Sequence, residues 1–124
     1  MSKKVLIAED SPTILMMVKA ALIKEGYSVL TASDGISALD LAKCEIPDLI
    51  ILDCLLPKLD GYNICRMLKK DETCKNIPIF IFTARKTNSD KLMAEKTGAN
   101  EYIPKSETLE EFGELIKKVH QYLK

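Results

Sequence analysis

Short apolar runs alternate along the chain with longer stretches in which apolar residues recur every three or four positions. Val5-Leu6-Ile7-Ala8 and Leu49-Ile50-Ile51-Leu52 contain no polar residue, the pattern of strands buried on both faces of a sheet. Tyr27 to Ala32 is less uniformly apolar and reads as an edge strand. Ile77 to Phe82 reads as a fourth strand, with Pro78 near its start where proline is tolerated. Glu101-Tyr102-Ile103 forms a brief fifth. Between these runs the period changes. Ser11-Pro12 supplies a cap and a first-turn proline, Ile14, Leu15, Val18 and Leu22 follow at helical spacing, and Gly26 stops the helix. A second helix spans about Ile36 to Cys44, and Ile64, Cys65 and Leu68 mark a third beyond the loop Pro57 to Gly61. A short fourth helix covers about Ser89 to Thr97 before Gly98. A last helix places Leu109, Phe112, Ile116, Val119 and Leu123 on one face.

Five strand–helix units in strict alternation predict an α/β fold, with right-handed crossovers and a parallel sheet covered on both faces. The 124 residues suit a single domain over 1–124, and no linker, low-complexity segment or repeat interrupts it.

Composition narrows the function classes. Eighteen basic residues balance eighteen acidic ones, so the net charge makes no case for nucleic acid or an anionic membrane. Val5 to Ala8 is too short for a signal-peptide core or a bilayer span, which points to a cytoplasmic protein. The cysteines stand at 44, 54, 65 and 74 with no C-x-x-C pair, and His120 is the only histidine. That set reads as reduced thiols rather than a zinc site. His120, Met16-Met17 and Lys69-Lys70 read as an exposed side chain, packing residues and a solvated helix face.

In open parallel sheets, ligands bind outside the carboxyl ends of the strands. Glu9 and Asp10 follow the first strand, Asp53 the third, Thr83 the fourth and Lys105 the fifth. In a sheet of order 2-1-3-4-5 the first and third strands are neighbours, and the three acids share a cleft. Like charges so close repel unless a cation intervenes, and an all-oxygen set without histidine suits magnesium. A lysine and a hydroxyl opposite the acids suit a phosphoryl group.

Glu9-Asp10, Asp53, Thr83-Ala84 and Tyr102-x-x-Lys105 together resemble the receiver domain of two-component response regulators. So do Leu52 to Pro57 followed by Asp60-Gly61, and Gly98-Ala99 before the final strand. The resemblance covers essentially the whole chain. It implies a flavodoxin-like, doubly wound sheet of five parallel strands in order 2-1-3-4-5 with five helices. It also implies a phosphorylation-dependent signalling switch rather than an enzyme, catalysing only its own phosphoryl transfer and dephosphorylation. Asp53 would be the phosphoacceptor. Asp10 and Asp53, with the backbone carbonyl of Leu55, would hold Mg2+, and Glu9 would act through water. Lys105 and Thr83 would bind the phosphoryl oxygens, and Thr83 and Tyr102 would form the switch. The implied partners are a sensor histidine kinase or phosphotransfer protein and a downstream protein or output domain, with a homodimer on activation as a further option. No direct nucleic-acid contact and no membrane contact are implied.

Two departures stand out. Ser106 follows Lys105 where the family usually has proline, and Pro104 precedes it. A cis bond before serine would cost about 3–4 kcal/mol. Leu56 replaces a common methionine at similar volume. The alternative is a degenerate receiver that binds a partner without phosphorylation. A haloacid-dehalogenase-type phosphatase would need a second aspartate where Leu55 stands. A nucleotide or flavin protein would need a Gly-rich loop after the first strand, and none is there.

Overall fold

A computed structural model describes residues 2–84, 88–105 and 109–123, with backbone alone at 88, 90 and 109–112. The expectations for Ser106 and for the side chains of Leu109 and Phe112 lie outside the described residues. The elements run β1 (Lys4–Ala8), α1 (Pro12–Lys24), β2 (Ser28–Ala32), α2 (Gly35–Glu45), β3 (Leu49–Leu52), α3 (Gly61–Lys70), β4 (Ile79–Thr83), α4 (Asn88–Lys96), β5 (Glu101–Pro104) and α5 (Leu109–Leu123). All strand pairs are parallel, in the order β2-β1-β3-β4-β5. The flavodoxin-like architecture is therefore as expected.

The two sheet faces build separate cores. Leu6, Ala8, Ile50, Leu52, Ile79 and Ile81 project toward α2, α3 and α4, where Ala38, Ala42, Ile64, Leu68 and Ala94 meet them. The alternate positions Val5, Ile7, Leu49, Ile51, Phe80 and Phe82 meet Val18 and Leu22 of α1 and Leu115 and Val119 of α5. That period of two, continued through strands apolar at every position, is why neither face is left to water.

Helix starts follow from local chemistry. Ser11, Asp34 and Asp60 are N-caps whose side chains accept from the backbone N–H of Ile14, Ser37 and Asn63. Gly26, at φ +94°, closes α1 in the left-handed region. Strand β4 begins at Ile79 rather than Ile77. The Ile77 N–H donates to Cys74 O and closes a turn, and Pro78 has no N–H to give.

Three expectations are corrected. Met16 and Met17 are 69% and 43% exposed and do not pack. Of the Lys69-Lys70 pair, Lys70 is exposed as read, but Lys69 is half-buried: its ammonium donates to Ile77 O at 2.9 Å and Asn100 Oδ1 at 3.0 Å, and burial pushes its pKa down. His120 is partly buried, with Nδ1 2.6 Å from Tyr27 Oη and Nε2 3.2 Å from Glu25 Oε2.

Candidate phosphoryl site

Strand register decides which residues meet. Ala8 is paired with Leu52, so Glu9 and Asp10 leave the sheet beside Asp53. Thr83 is paired with Pro104, so Lys105 emerges beside Thr83, and its N–H donates to Thr83 O at 2.7 Å. The backbone holds this edge firmly. The Asp53 N–H donates to Ala8 O, and the Glu9 N–H to Ala32 O, both at 3.0 Å. In the β3–α3 loop, the Gly61 N–H donates to Cys54 O at 3.2 Å. A Cβ on Gly61 would collide with the Asp53 backbone carbonyl, so only glycine permits this approach of α3 to the strand end.

One carboxylate oxygen each of Glu9, Asp10 and Asp53 lies within 4.8 Å of the others. Glu9 and Asp53 are buried, at 2% and 5% exposure, while Asp10 is exposed. Lys105 faces the pair: its Nζ lies 2.8 Å from Asp53 Oδ2 and 2.5 Å from Glu9 Oε1. The other Asp53 oxygen accepts from the Leu55 N–H at 3.1 Å, and Glu9 Oε2 accepts from the Ser11 N–H at 3.0 Å. Burial raises the Glu9 pKa, against the ion pair with Lys105. For Lys105, burial alone would lower the pKa, but Asp53 and Glu9 together outweigh it and raise it.

The residues fit a hard cation. Glu9 Oε1 is fully buried and meets the Lys105 ammonium, which it shares with Asp53 Oδ2. Among the described residues, these three carboxylates face one ammonium, that of Lys105, and so carry excess negative charge. An all-oxygen donor set of this kind suits magnesium.

Thr83 is fully buried at the end of β4, and its Oγ1 lies 2.8 Å from Cys54 Sγ. Nothing in the sequence singles out that partner. A cysteine beside an apolar run reads as core, and nothing in spacing or charge signals more. Tyr102 stands away from the acids. It packs on the core beneath α2, α3 and α4 and lines a cavity of about 230 Å³ between α4 and β5, with Lys91, Ala94 and Glu95.

A family model described as the response regulator receiver domain matches residues 5–117. The chain belongs to this family. Among its relatives is the alkaline phosphatase synthesis transcriptional regulatory protein PhoP of Bacillus subtilis. The two are 38% identical over 119 residues, which cover 96% of this chain and 49% of PhoP. The response regulator PleD of Caulobacter vibrioides is 36% identical over 85% of this chain and 23% of its own length. The chain thus spans about half of one relative and a quarter of the other. Among solved structures, the receiver domain of a Pseudomonas aeruginosa sensor histidine kinase, with magnesium coordinated in its active-site cleft, superposes with a TM-score of 0.88. It is 30% identical and covers 98% of both chains. The chemotaxis response regulator CheY4 of Vibrio cholerae gives 0.87 at 29% identity, over 96% of this chain and 99% of that one. No helix among the described residues is long and apolar enough to cross a membrane.

Proposed function

We propose that this receiver domain, over 1–124, is a working phosphorylation switch with Asp53 as phosphoacceptor. The observation that carries the reading is the meeting of Glu9, Asp10 and Asp53 with the Lys105 ammonium 2.8 Å from the Asp53 carboxylate. Asp53 attacks the phosphorus of the donor. A carboxylate oxygen–phosphorus bond forms, and the bond from phosphorus to the leaving group breaks. Asp10 and Asp53, with the backbone carbonyl of Leu55, would hold magnesium, and Glu9 would act through water. Bound there, magnesium would offset charge on the transferred oxygens. Lys105, which neutralises Asp53 at rest, turns to the phosphoryl oxygens once they arrive, and Thr83 donates its hydroxyl hydrogen to one of them. No turnover of a separate substrate is involved.

The donor is a histidine kinase or phosphotransfer protein, and the readout is a downstream protein, an output domain or a homodimer, all in the cytoplasm. Acetyl phosphate with magnesium should add one phosphoryl mass to the wild type and none to Asp53→Asn. A wild type that stays unmodified, and binds beryllofluoride no better than Asp53→Asn, would leave a phosphorylation-independent binding module instead.

A further inference from the structure

Thr83 and Cys54 lie on the same side of the sheet. Thr83 continues the alternation of Ile79 and Ile81, and Cys54 joins Ile50 and Leu52 in the core beneath α2, α3 and α4. Asp53 is one residue out of phase with Cys54. Lys105 lies toward the other face, with its Nζ 5.8 Å from the centre of the Phe82 ring. The Thr83 hydroxyl is therefore tied by the Cys54 thiol, at 2.8 Å, on the side away from the oxygens it has to reach. A phosphoryl group offers only acceptors, so Thr83 must donate its single hydroxyl hydrogen to it. If that hydrogen now points to sulfur, it must be withdrawn. If the thiol donates instead, the oxygen is held on the core side. In either arrangement the engaged position of Thr83 gives up this contact. Both side chains are buried, at 1% for Cys54 and 0% for Thr83, so the contact is made away from water, where a hydrogen bond counts most.

We propose that Cys54 is a positioning residue that holds Thr83 in its resting orientation and so sets how readily the domain switches. The inference rests on the receiver reading above. The thiol opposes switching, so its removal should favour the phosphoryl-bound state. A neutral hydrogen bond of ordinary strength predicts that Cys54→Ala and Cys54→Val bind beryllofluoride about two- to tenfold more tightly than wild type. Cys54→Ser, which keeps a hydrogen-bonding group, should stay near the wild-type value. Magnesium affinity without beryllofluoride should not move in any of them, because the Cys54 thiol meets Thr83, which is not among the proposed metal ligands. On a Thr83→Ala background, Cys54→Ala should have no further effect. Titration of the single and double variants decides the matter, with thermal melts to verify folding. If Cys54→Ala does not fold, Val against Ser still separates hydrogen bonding from volume. Unchanged affinity in Cys54→Val, or a gain that persists without the Thr83 hydroxyl, overturns the proposal alone. Equal binding by wild type and Asp53→Asn overturns the receiver reading and the proposal with it.

Discussion

At the scale of single residues, the acids are not equivalent. Asp10 is exposed at the mouth of the cleft, whereas Glu9 is buried against Lys105 and the Ser11 N–H. A direct ligand loses its charged donor when amidated; a residue acting through water loses only an outer partner. Glu9→Gln should weaken magnesium binding within the range of about 10–100-fold typical of outer partners, and Asp10→Asn should weaken it further. Titration by calorimetry, or the magnesium dependence of thermal unfolding, ranks the two. At 100 times its dissociation constant, magnesium should stabilise the wild type by about 2.7 kcal/mol. Equal affinities for wild type and Asp10→Asn would show the ligand assignment to be wrong. These residues were legible in the sequence only as a set: one acid at a strand end can be an ordinary cap, but three at neighbouring strand ends opposite a lysine point to a shared site. Cys54 and Gly61 were harder to read. A thiol in an apolar run, or a glycine at a helix start, gains its meaning only from what lies across from it: Thr83 Oγ1 in one case, the Asp53 carbonyl in the other.

Elements were legible in kind but less so at their edges, since each boundary depends on where particular N–H groups find acceptors. The Ile77 N–H turns back to Cys74, which moves the start of β4 two residues along, and Lys69 reaches from α3 to acceptors at the sheet's amino edge that no helical pattern reveals. A similar tie joins α5 to β5. Tyr122 Oη donates to Glu101 Oε2 at 2.8 Å, Lys118 Nζ lies 3.3 Å from Glu101 Oε1, and the Tyr122 ring meets Phe80 edge-on at 5.0 Å. Burial, together with the bond to Glu101, pushes the Tyr122 phenol from 10.0 up to about 12. A phenol with a raised folded-state pKa binds its proton more tightly in the folded state. Its stabilising contribution is therefore complete below the unfolded value and lost as pH rises through the folded one. Between pH 10.0 and about 12 the wild type should lose stability more steeply than Tyr122→Phe, which has nothing to ionise there. Urea midpoints at a series of alkaline pH values read this directly, and parallel curves would refute the tie.

Over the whole molecule, alternation alone gives a parallel sheet with two covered faces. It does not give the strand order, which came from the receiver resemblance and matches the observed β2-β1-β3-β4-β5. That order also fixes how a signal can leave the site. Asp53, the proposed phosphoacceptor, follows the central strand, Thr83 ends the next, and Tyr102 lies on the edge strand beyond, its neighbour in register being Ile81. A phosphoryl group adds about −1.5 to −2 charges and three acceptor oxygens beside Lys105 and Thr83. Thr83 moving toward it leaves space behind β4. Tyr102, half-buried on β5 and packed against the core beneath α2, α3 and α4, would be the side chain to turn into that space. The surface presented by α4, β5 and α5 would then change. A difference of a few kcal/mol between the two arrangements lets phosphorylation exchange their populations. Thr83→Ala should still gain phosphoryl mass at Asp53 while failing to pass the change outward. Amide chemical shifts recorded with and without beryllofluoride should move from Lys91 to Tyr102 and along α5 in the wild type, and remain still there in Thr83→Ala. Wild-type shifts confined to the loops around Asp10, Asp53 and Lys105 would rule out this route and transfer the output to another face, with the exposed Met16 and Met17 of α1 the first place to look.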